Sequence, residues 1–348
     1  MGAGKHADPR GENTTMAKRP TIHDVAAAAG VSRGTVSRVL NDDRYVSPAA
    51  HAAVRRAIAE TGYIVNRNAR SLVTQRTGSV VMVLSEPHEK VFEDPNYSTT
   101  IRTAIRRLGE RDVSLVIMLA GDDGDRERVV RYVRGGHADG VLLMSTHAGD
   151  PLVDELESLR IPAVACGAVI GKENVIPYAA ADDREGARQM TRYLVEQGRR
   201  KIATITGPMD TPGGIQRLEG FADVLGRKAS RKLIEHGDWT QLSGESAMAR
   251  LIERTPDLDA VFVASDLMAA GALSTLRAAG RQVPGDVAVG GFDDSSVAAT
   301  THPPLTTIRQ PLAEVAEETV RLLLTLVDGG GPVDPVILPT RLIVRESA

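Results

Sequence analysis

From Ser79 onward, short apolar runs alternate with amphipathic stretches, and that alternation constrains the fold of this 348-residue chain more than any other feature. VVMVL (80–84), SLVIML (114–119), GVLLM (140–144) and PAVAC (162–166) form a first set; IATIT (202–206), AVFVA (260–264) and VAVGGF (287–292) form a second after residue 180. Runs this apolar are what strands buried on both faces require. The segments between them, such as 184–197, 213–227, 243–254 and 267–279, carry helical spacing. The rhythm is that of βαβ units, so the body is predicted to be α/β: two doubly wound parallel-sheet subdomains, together spanning 77–348. Ligands of open parallel sheets bind outside the carboxyl ends of the strands. Ser85–Tyr97, Ser145–His147, Gly207–Arg217, Ser265–Asp266 and Phe292–Asp294 are therefore expected to line a shared crevice.

The N-terminal part follows a different pattern. Residues 1–16 are small and polar with no apolar period, which predicts a disordered tail; Met16 is a second possible start. From Thr21, a residue able to cap a helix, Ile22, Val25, Ala26 and Ala29 fall on one helical face, and Gly30 can close that helix in the left-handed region. Ser32 can cap a second helix buried through Val36, Val39 and Leu40, which leaves Arg33, Gly34, Ser37 and Arg38 outside. A third helix is expected from Ser47-Pro48 to Gly62, packing through Val54 and Ile58, with Tyr63 and Ile64 completing the small core. Two short helices joined by a Gly-Val-Ser turn make a helix-turn-helix, whose second helix enters the DNA major groove. There Arg33 and Arg38 can reach guanine edges, or contact phosphates only, while Gly34 removes a side chain and allows close approach. Thr21, Ser32, Thr35, Ser37 and Asn41 are short donors suited to phosphate oxygens.

Charge supports that division. The chain totals 42 Lys/Arg against 45 Asp/Glu, a net −3, which taken whole argues against nucleic acid as a partner. Residues 1–76, however, hold twelve of the bases and six of the acids, or +6, leaving −9 for the remainder. A basic end on an acidic body is the footprint of a nucleic-acid reader attached to something else.

The segments TIHDVAAAAGVSRGTVSRVLN and VSPAAHAAVRRAIAETGYIVNRNARSL resemble the headpiece and hinge of the LacI/GalR (lactose repressor) family over about fifty ungapped residues. The resemblance implies a headpiece at 17–65 and a hinge helix with its linker at 66–76 that orders on operator DNA. Leu72 and its dimer mate would wedge into the central minor-groove step, with Ala69 one turn back on the same face; the other reading of Leu72 is a linker residue packed on the body. Physical reasoning supports the wedge, because a nine-residue helix is too short to be stable alone and an apolar wedge kinks DNA at the cost of unstacking. Arg67 and Arg70 can offset that cost through phosphates, and Asn66, at the start of the hinge helix, joins the DNA-binding set.

Along the body, GPMDTPGGIQRLEGF, GDWTQLSGESA, VFVASDLMAAGAL, VAVGGFDDS and PPLTTIRQP look like the effector domain of the same family, itself similar to periplasmic sugar-binding proteins. The resemblance implies two subdomains, one at about 77–177 with 306–330 and the other at about 178–305 with 331–348. It also implies that Arg217 and Asp293 hold the ligand through charged hydrogen bonds, that Trp239 stacks on it, and that Asp266 faces the same cleft. A sugar suits such a set, with hydroxyls for Asp and Arg and a CH-rich face for an indole; a purine could stack there too. Asp266 and Asp183 could instead cap the helices they precede, and Arg217 could bridge an acid on its own helix. The stretches CGAV (166–169) and FEDPNY (92–97) depart from the family, so Asp94 enters the candidate set by position alone.

The remaining features limit the alternatives. One cysteine, Cys166, supports neither a disulfide nor a thiolate metal site, and no phosphate loop, HExxH sequence or GxSxG elbow between a strand and a helix is present. No cofactor or metal is expected, and an α/β sugar or nucleotide enzyme is the remote alternative. With neither a membrane-spanning run nor a signal sequence, the chain is expected in the cytoplasm. It lacks a terminal leucine heptad, so a homodimer on palindromic double-stranded operator DNA is expected, with a small-molecule effector, a sugar in preference to a purine corepressor.

Overall fold

The computed structural model describes residues 20–40, 45–63 and 76–348, and the chain divides into two compact units that meet between Gln75 and Arg76. The first unit holds three helices, α1 (Ile22–Ala29), α2 (Arg33–Leu40) and α3 (Pro48–Thr61). Each begins and ends where the residue chemistry places it. Asp24 accepts the backbone N–H and hydroxyl of Thr21, both at 2.7 Å, and Gly30 takes the left-handed φ of 65° that stops α1. Ser32 accepts the Thr35 N–H at 3.1 Å, and Ser47 accepts that of Ala50 at 3.3 Å with Pro48 in the first turn. Val25, Ala26, Val36, Val39, Val54 and Ala57 are the buried residues of this core, edged by Ile22, Ala29, Val31, Leu40, Ile58 and Tyr63. Full burial of each valine contributes about 1.5–3 kcal/mol.

The second unit is built on two parallel sheets. In chain order its first half runs β1 (Ser79–Leu84), α4 (His88–Glu93), α5 (Pro95–Gly109), β2 (Ser114–Leu119), α6 (Asp123–Arg134), β3 (Gly140–Met144), α7 (Pro151–Ser158), β4 (Ala163–Cys166) and β5 (Tyr178–Ala181). There follow α8 (Asp183–Glu196), β6 (Ile202–Thr206), α9 (Pro212–Leu225), β7 (Ile234–His236), α10 (Gln241–Arg254), β8 (Ala260–Val263), α11 (Asp266–Ala278), β9 (Ala288–Gly290) and α12 (Ser296–Thr300). The chain closes with β10 (Thr307–Arg309), α13 (Leu312–Val327), β11 (Val336–Leu338) and β12 (Arg341–Ile343).

The first lobe is a parallel sheet of order β11-β5-β4-β3-β1-β2, and the second has order β7-β6-β8-β9, flanked by the antiparallel β10–β12 ribbon. Every apolar run read from the sequence is a strand or lies across one. In β1, Val80, Met82 and Leu84 pack on one side with α5 and α13, and Val81 and Val83 on the other with α6 and α7, so the run is buried on both faces. In the second lobe Ile205, Val261 and Val263 face α10 and α11, while Ile202, Ala260 and Phe262 face Met190 of α8 and Phe221 of α9.

The lobe boundaries differ from those expected. The resemblance places Tyr178–Ala181 and Val336–Leu338 in the second subdomain, yet β5 pairs with β4 and β11 pairs with β5 in the first sheet. It places residues 307–309 in the first, yet β10 pairs with β12, and Asp293 bridges to Arg309 in the second. The chain crosses between lobes at the ends of these strands, after Ala181, after Arg309 and after Leu338. The first and third crossings are tied together: the Asp182 N–H donates to the Leu338 carbonyl at 2.8 Å, and the Thr340 hydroxyl to the Asp182 carbonyl at 3.3 Å. An alanine-rich strand such as YAAA has little intrinsic strand preference, and its place is set by pairing that the sequence does not display.

Candidate functional site

On the headpiece, α2 presents its charged side outward: Arg33, Gly34 and Arg38 are exposed and Ser37 is half-buried. Arg38 rests its Nε on the Gly34 carbonyl at 3.3 Å. A Cβ built on Gly34 would meet only the Ser32 Oγ, at 3.7 Å. Packing therefore does not demand a glycine there, although glycine costs the helix about 1 kcal/mol relative to alanine. The hydroxyls of Ser32 and Thr35 lie 2.9 Å apart, and that of Thr21 is bonded to Asp24, so all three serve the helix ends. Asn41, Asn66, Arg67, Ala69, Arg70 and Leu72 lie outside the described residues.

In the second unit, a cavity of about 430 Å³ opens where the carboxyl ends of both sheets face each other. Arg217, on α9 and 7% exposed, is its central cation. Its Nε donates to Asp183 at 2.8 Å, and its Nη1 to the Ala264 carbonyl at 2.5 Å and to Asp293 at 3.4 Å. The guanidinium lies 3.8 Å above the Phe292 ring and 5.3 Å from that of Trp239. Burial opposes its charge, but Asp183 and Asp293 more than offset this and hold Arg217 firmly protonated.

Asp293 lies in a left-handed loop, φ 117°, that turns its carboxylate into the cavity. Burial pushes this carboxyl up, to about 7, against the pull of Arg217 and the amide groups of Gln310, at 2.6 Å, and Asn96. These donors favour the ionised form. Trp239 also holds a left-handed backbone, φ 76°, and its indole lies against Gly207, where a Cβ would fall 2.0 Å from the ring carbon Cη2. From the first lobe, Asp94 caps α5 by accepting the Asn96 N–H at 2.9 Å, and burial raises its pKa. Tyr97, its own pKa raised mainly by burial, shares a 2.8 Å hydrogen bond with Ser145.

Four of the five expected effector residues, Asp94, Arg217, Trp239 and Asp293, thus line one cavity. Asp266 does not. It is fully buried at the start of α11, accepting the Thr307 hydroxyl at 2.5 Å and the Ser295 N–H at 2.8 Å, and so fastens the loop that carries Asp293. Burial first, and Asp293 second, raise its pKa well above the usual carboxylate range. The capping alternatives also resolve by one residue: Ser265 caps α11 and Asp182 caps α8, which frees Asp183 to hold Arg217. The sequence offers Asp183 only as a possible helix cap, Asn96, Tyr97 and Ser145 only as members of stretches expected to line the crevice, and Gln310 only within PPLTTIRQP. Among the described residues no cluster of three or more His, Cys, Asp or Glu could hold a metal ion. Among the described residues no helix is long and apolar enough to cross a membrane.

The family model for bacterial regulatory proteins of the lacI family matches residues 21–66, and a model for the periplasmic binding protein-like domain matches residues 191–348. The HTH-type transcriptional regulator CelR of Thermobifida fusca is 46% identical over 336 residues, covering 95% of this chain and 98% of that protein. The ribose operon repressor of Halalkalibacterium halodurans is 31% identical over 332 residues, covering 94% and 96%. Among solved structures, a complex of the transcriptional regulator CelR with cellobiose superposes with a TM-score of 0.76 at 44% identity, covering 95% of this chain and all of that one. The lac repressor dimer bound to operator and the anti-inducer ONPF gives 0.83 at 26% identity, covering 95% and 99%. With its helix-turn-helix headpiece and two-lobed sensor, the chain belongs to the lacI family of bacterial regulatory proteins and is a DNA-binding transcriptional regulator rather than an enzyme.

Proposed function

We propose that this regulator is a dimeric repressor that occupies a palindromic operator and takes a glucose disaccharide, cellobiose or a close relative, in the cavity between its lobes. The observation that carries the effector reading is the pairing of an indole with a fixed acid and base: Trp239 offers an apolar ring, and Arg217 and Asp293 offer hydroxyl partners beside it. Sugars present a CH-rich face and a hydroxyl rim that match such a site. The similarity to a regulator solved in complex with cellobiose supports the same choice. An operator-bound protein works where the chromosome is, which places it in the cytoplasm.

On DNA, α2 reads the major groove through Arg33 and Arg38 while Asn66, Arg67, Ala69, Arg70 and Leu72 engage the operator centre. Effector binding favours one arrangement of the lobes, and by linkage the operator changes effector affinity by the same factor. Calorimetry with cellobiose, other sugars and purines, paired with gel shifts on operator DNA, tests the reading. Saturable cellobiose binding that shifts operator affinity is expected; purine binding with no sugar binding would sink it. Leu72→Ala should weaken operator binding strongly and leave effector affinity of the free protein unchanged.

A further inference from the structure

The cavity has a definite electrostatic sign. Its walls carry the carboxyl groups of Asp94, Asp182, Asp183, Glu219 and Asp293 against the guanidinium groups of only Arg184 and Arg217. Protonation of Asp94 and Asp293 would leave three carboxylates against two cations, so the field stays negative in either state.

Neither cation is at liberty to receive an anion. Arg184 is committed to Asp223 through Nε at 2.8 Å and Nη2 at 2.9 Å, and to Glu219 through Nη1 at 3.2 Å. Arg217 spends Nε and Nη1 on Asp183, Asp293 and the Ala264 carbonyl, so a ligand can reach only its Nη2 corner, and two carboxylates flank that corner.

The helix ends that point at the cavity are closed in the same sense. Helix N-termini attract anions through free N–H groups and the macrodipole. Here Asp94 caps α5, Asp182 caps α8, Thr211 accepts the Gly214 N–H of α9 at 3.3 Å, and Ser265 accepts the Met268 N–H of α11 at 3.2 Å. Two of the four caps are themselves carboxylates, placed where a phosphate would otherwise sit.

We infer that the cavity admits an uncharged, hydroxyl-rich ligand and rejects its phosphate ester, so the effector is supplied by glycoside hydrolysis or unmodified uptake and not by phosphoryl transfer. The inference rests on the sugar reading for the ligand's identity, whereas the sign of the field does not depend on it. A phosphate dianion would exchange its hydration for a wall of like charge, and such juxtapositions are strongly unfavourable.

Trp239 is the only tryptophan of the chain and lines the cavity, so its emission reports binding directly in the full-length protein. Cellobiose should shift it saturably, and cellobiose 6-phosphate should bind roughly 100-fold more weakly or worse. Equal or tighter binding of the ester would overturn the inference and leave the sugar reading standing. Inorganic phosphate at millimolar concentration is the probe that needs no sugar. Absence of a response upholds rejection of anions even if no sugar binds, and saturable binding overturns it. Asp94→Asn keeps a helix-capping side chain while removing one charge, and should narrow the gap between the two sugars; an unchanged or wider gap counts against the carboxylates as its cause.

Discussion

His147 of the first lobe reaches across to Asp210 of the second, Nδ1 to Oδ2 at 2.9 Å, while its Nε2 lies 3.3 Å from the buried Glu86 behind it. The Ala148 N–H adds a bond to the Asp210 carbonyl at 2.7 Å, so the lobes are joined at a point that does not line the cavity. Glu86 also carries Lys90 at 3.6 Å. The bond to Glu86 and that to Asp210 raise the imidazole pKa to about 9, and both call for its charged form.

The sign of the resulting pH effect follows. A histidine whose pKa rises on folding adds stability that is complete below its ordinary value and fades as pH passes through the raised one. The melting temperature should therefore fall between pH 7 and 9.5 by about 2–4 °C, corresponding to roughly 1 kcal/mol for this partly exposed pair. His147→Gln should abolish that slope in a melting series without touching the cavity walls. A slope that persists in the variant would assign it elsewhere.

Asp293 titrates in the opposite sense for ligand binding. A sugar hydroxyl donates to the carboxylate, so affinity should be full above about 7 and decline as pH falls through that value, approaching tenfold per unit at the acid end. Calorimetry from pH 8 to 5.5 checks this. Asp293→Asn should bind more weakly at every pH and show no such decline.

Gly207 tests the indole platform. Adding one methyl places a carbon inside the Trp239 ring contact, so Gly207→Ala should displace the ring and lower effector affinity by about 30-fold or more, equivalent to roughly 2 kcal/mol. Operator binding without effector should persist, as a gel shift would show. Retention of native affinity would mean that the indole does not carry the ligand.

Gly34 separates folding from recognition in the headpiece. Gly34→Ala should stabilise α2 by about 0.5–1 kcal/mol, because the added Cβ makes only an ordinary contact with the Ser32 Oγ at 3.7 Å, yet weaken operator binding because it stands between the helix and DNA. Opposite movement of the thermal and gel-shift readouts is the expected outcome.

Much of this architecture was legible because its signals are local. Gly30 ends α1, Ser32 and Ser47 start the next two helices, and the unbroken apolarity of Val80–Leu84 announces a strand covered on both sides. What stayed hidden depends on partners far along the chain. Asp182 and Asp183 are indistinguishable in a list of residues, and only the approach of Arg217, on another helix, makes one a cap and the other a ligand for the guanidinium. Asp266 has the right type and the right position at a strand end, but Thr307 and Ser295 close over it. Gln310 stands in a segment that was recognised, PPLTTIRQP, yet its role depends on Asp293 lying next to it in space.

The three crossings after Ala181, Arg309 and Leu338 also govern how such a molecule can be recombined. Each lobe is assembled from separated stretches of chain, so no single splice exchanges one sensor lobe for that of a relative without splitting a sheet. The first unit, which holds the headpiece, is one uninterrupted stretch that ends at Gln75. The exchangeable part is therefore the reader, and a new pairing of operator with effector is reached in one cut there and nowhere inside the sensor.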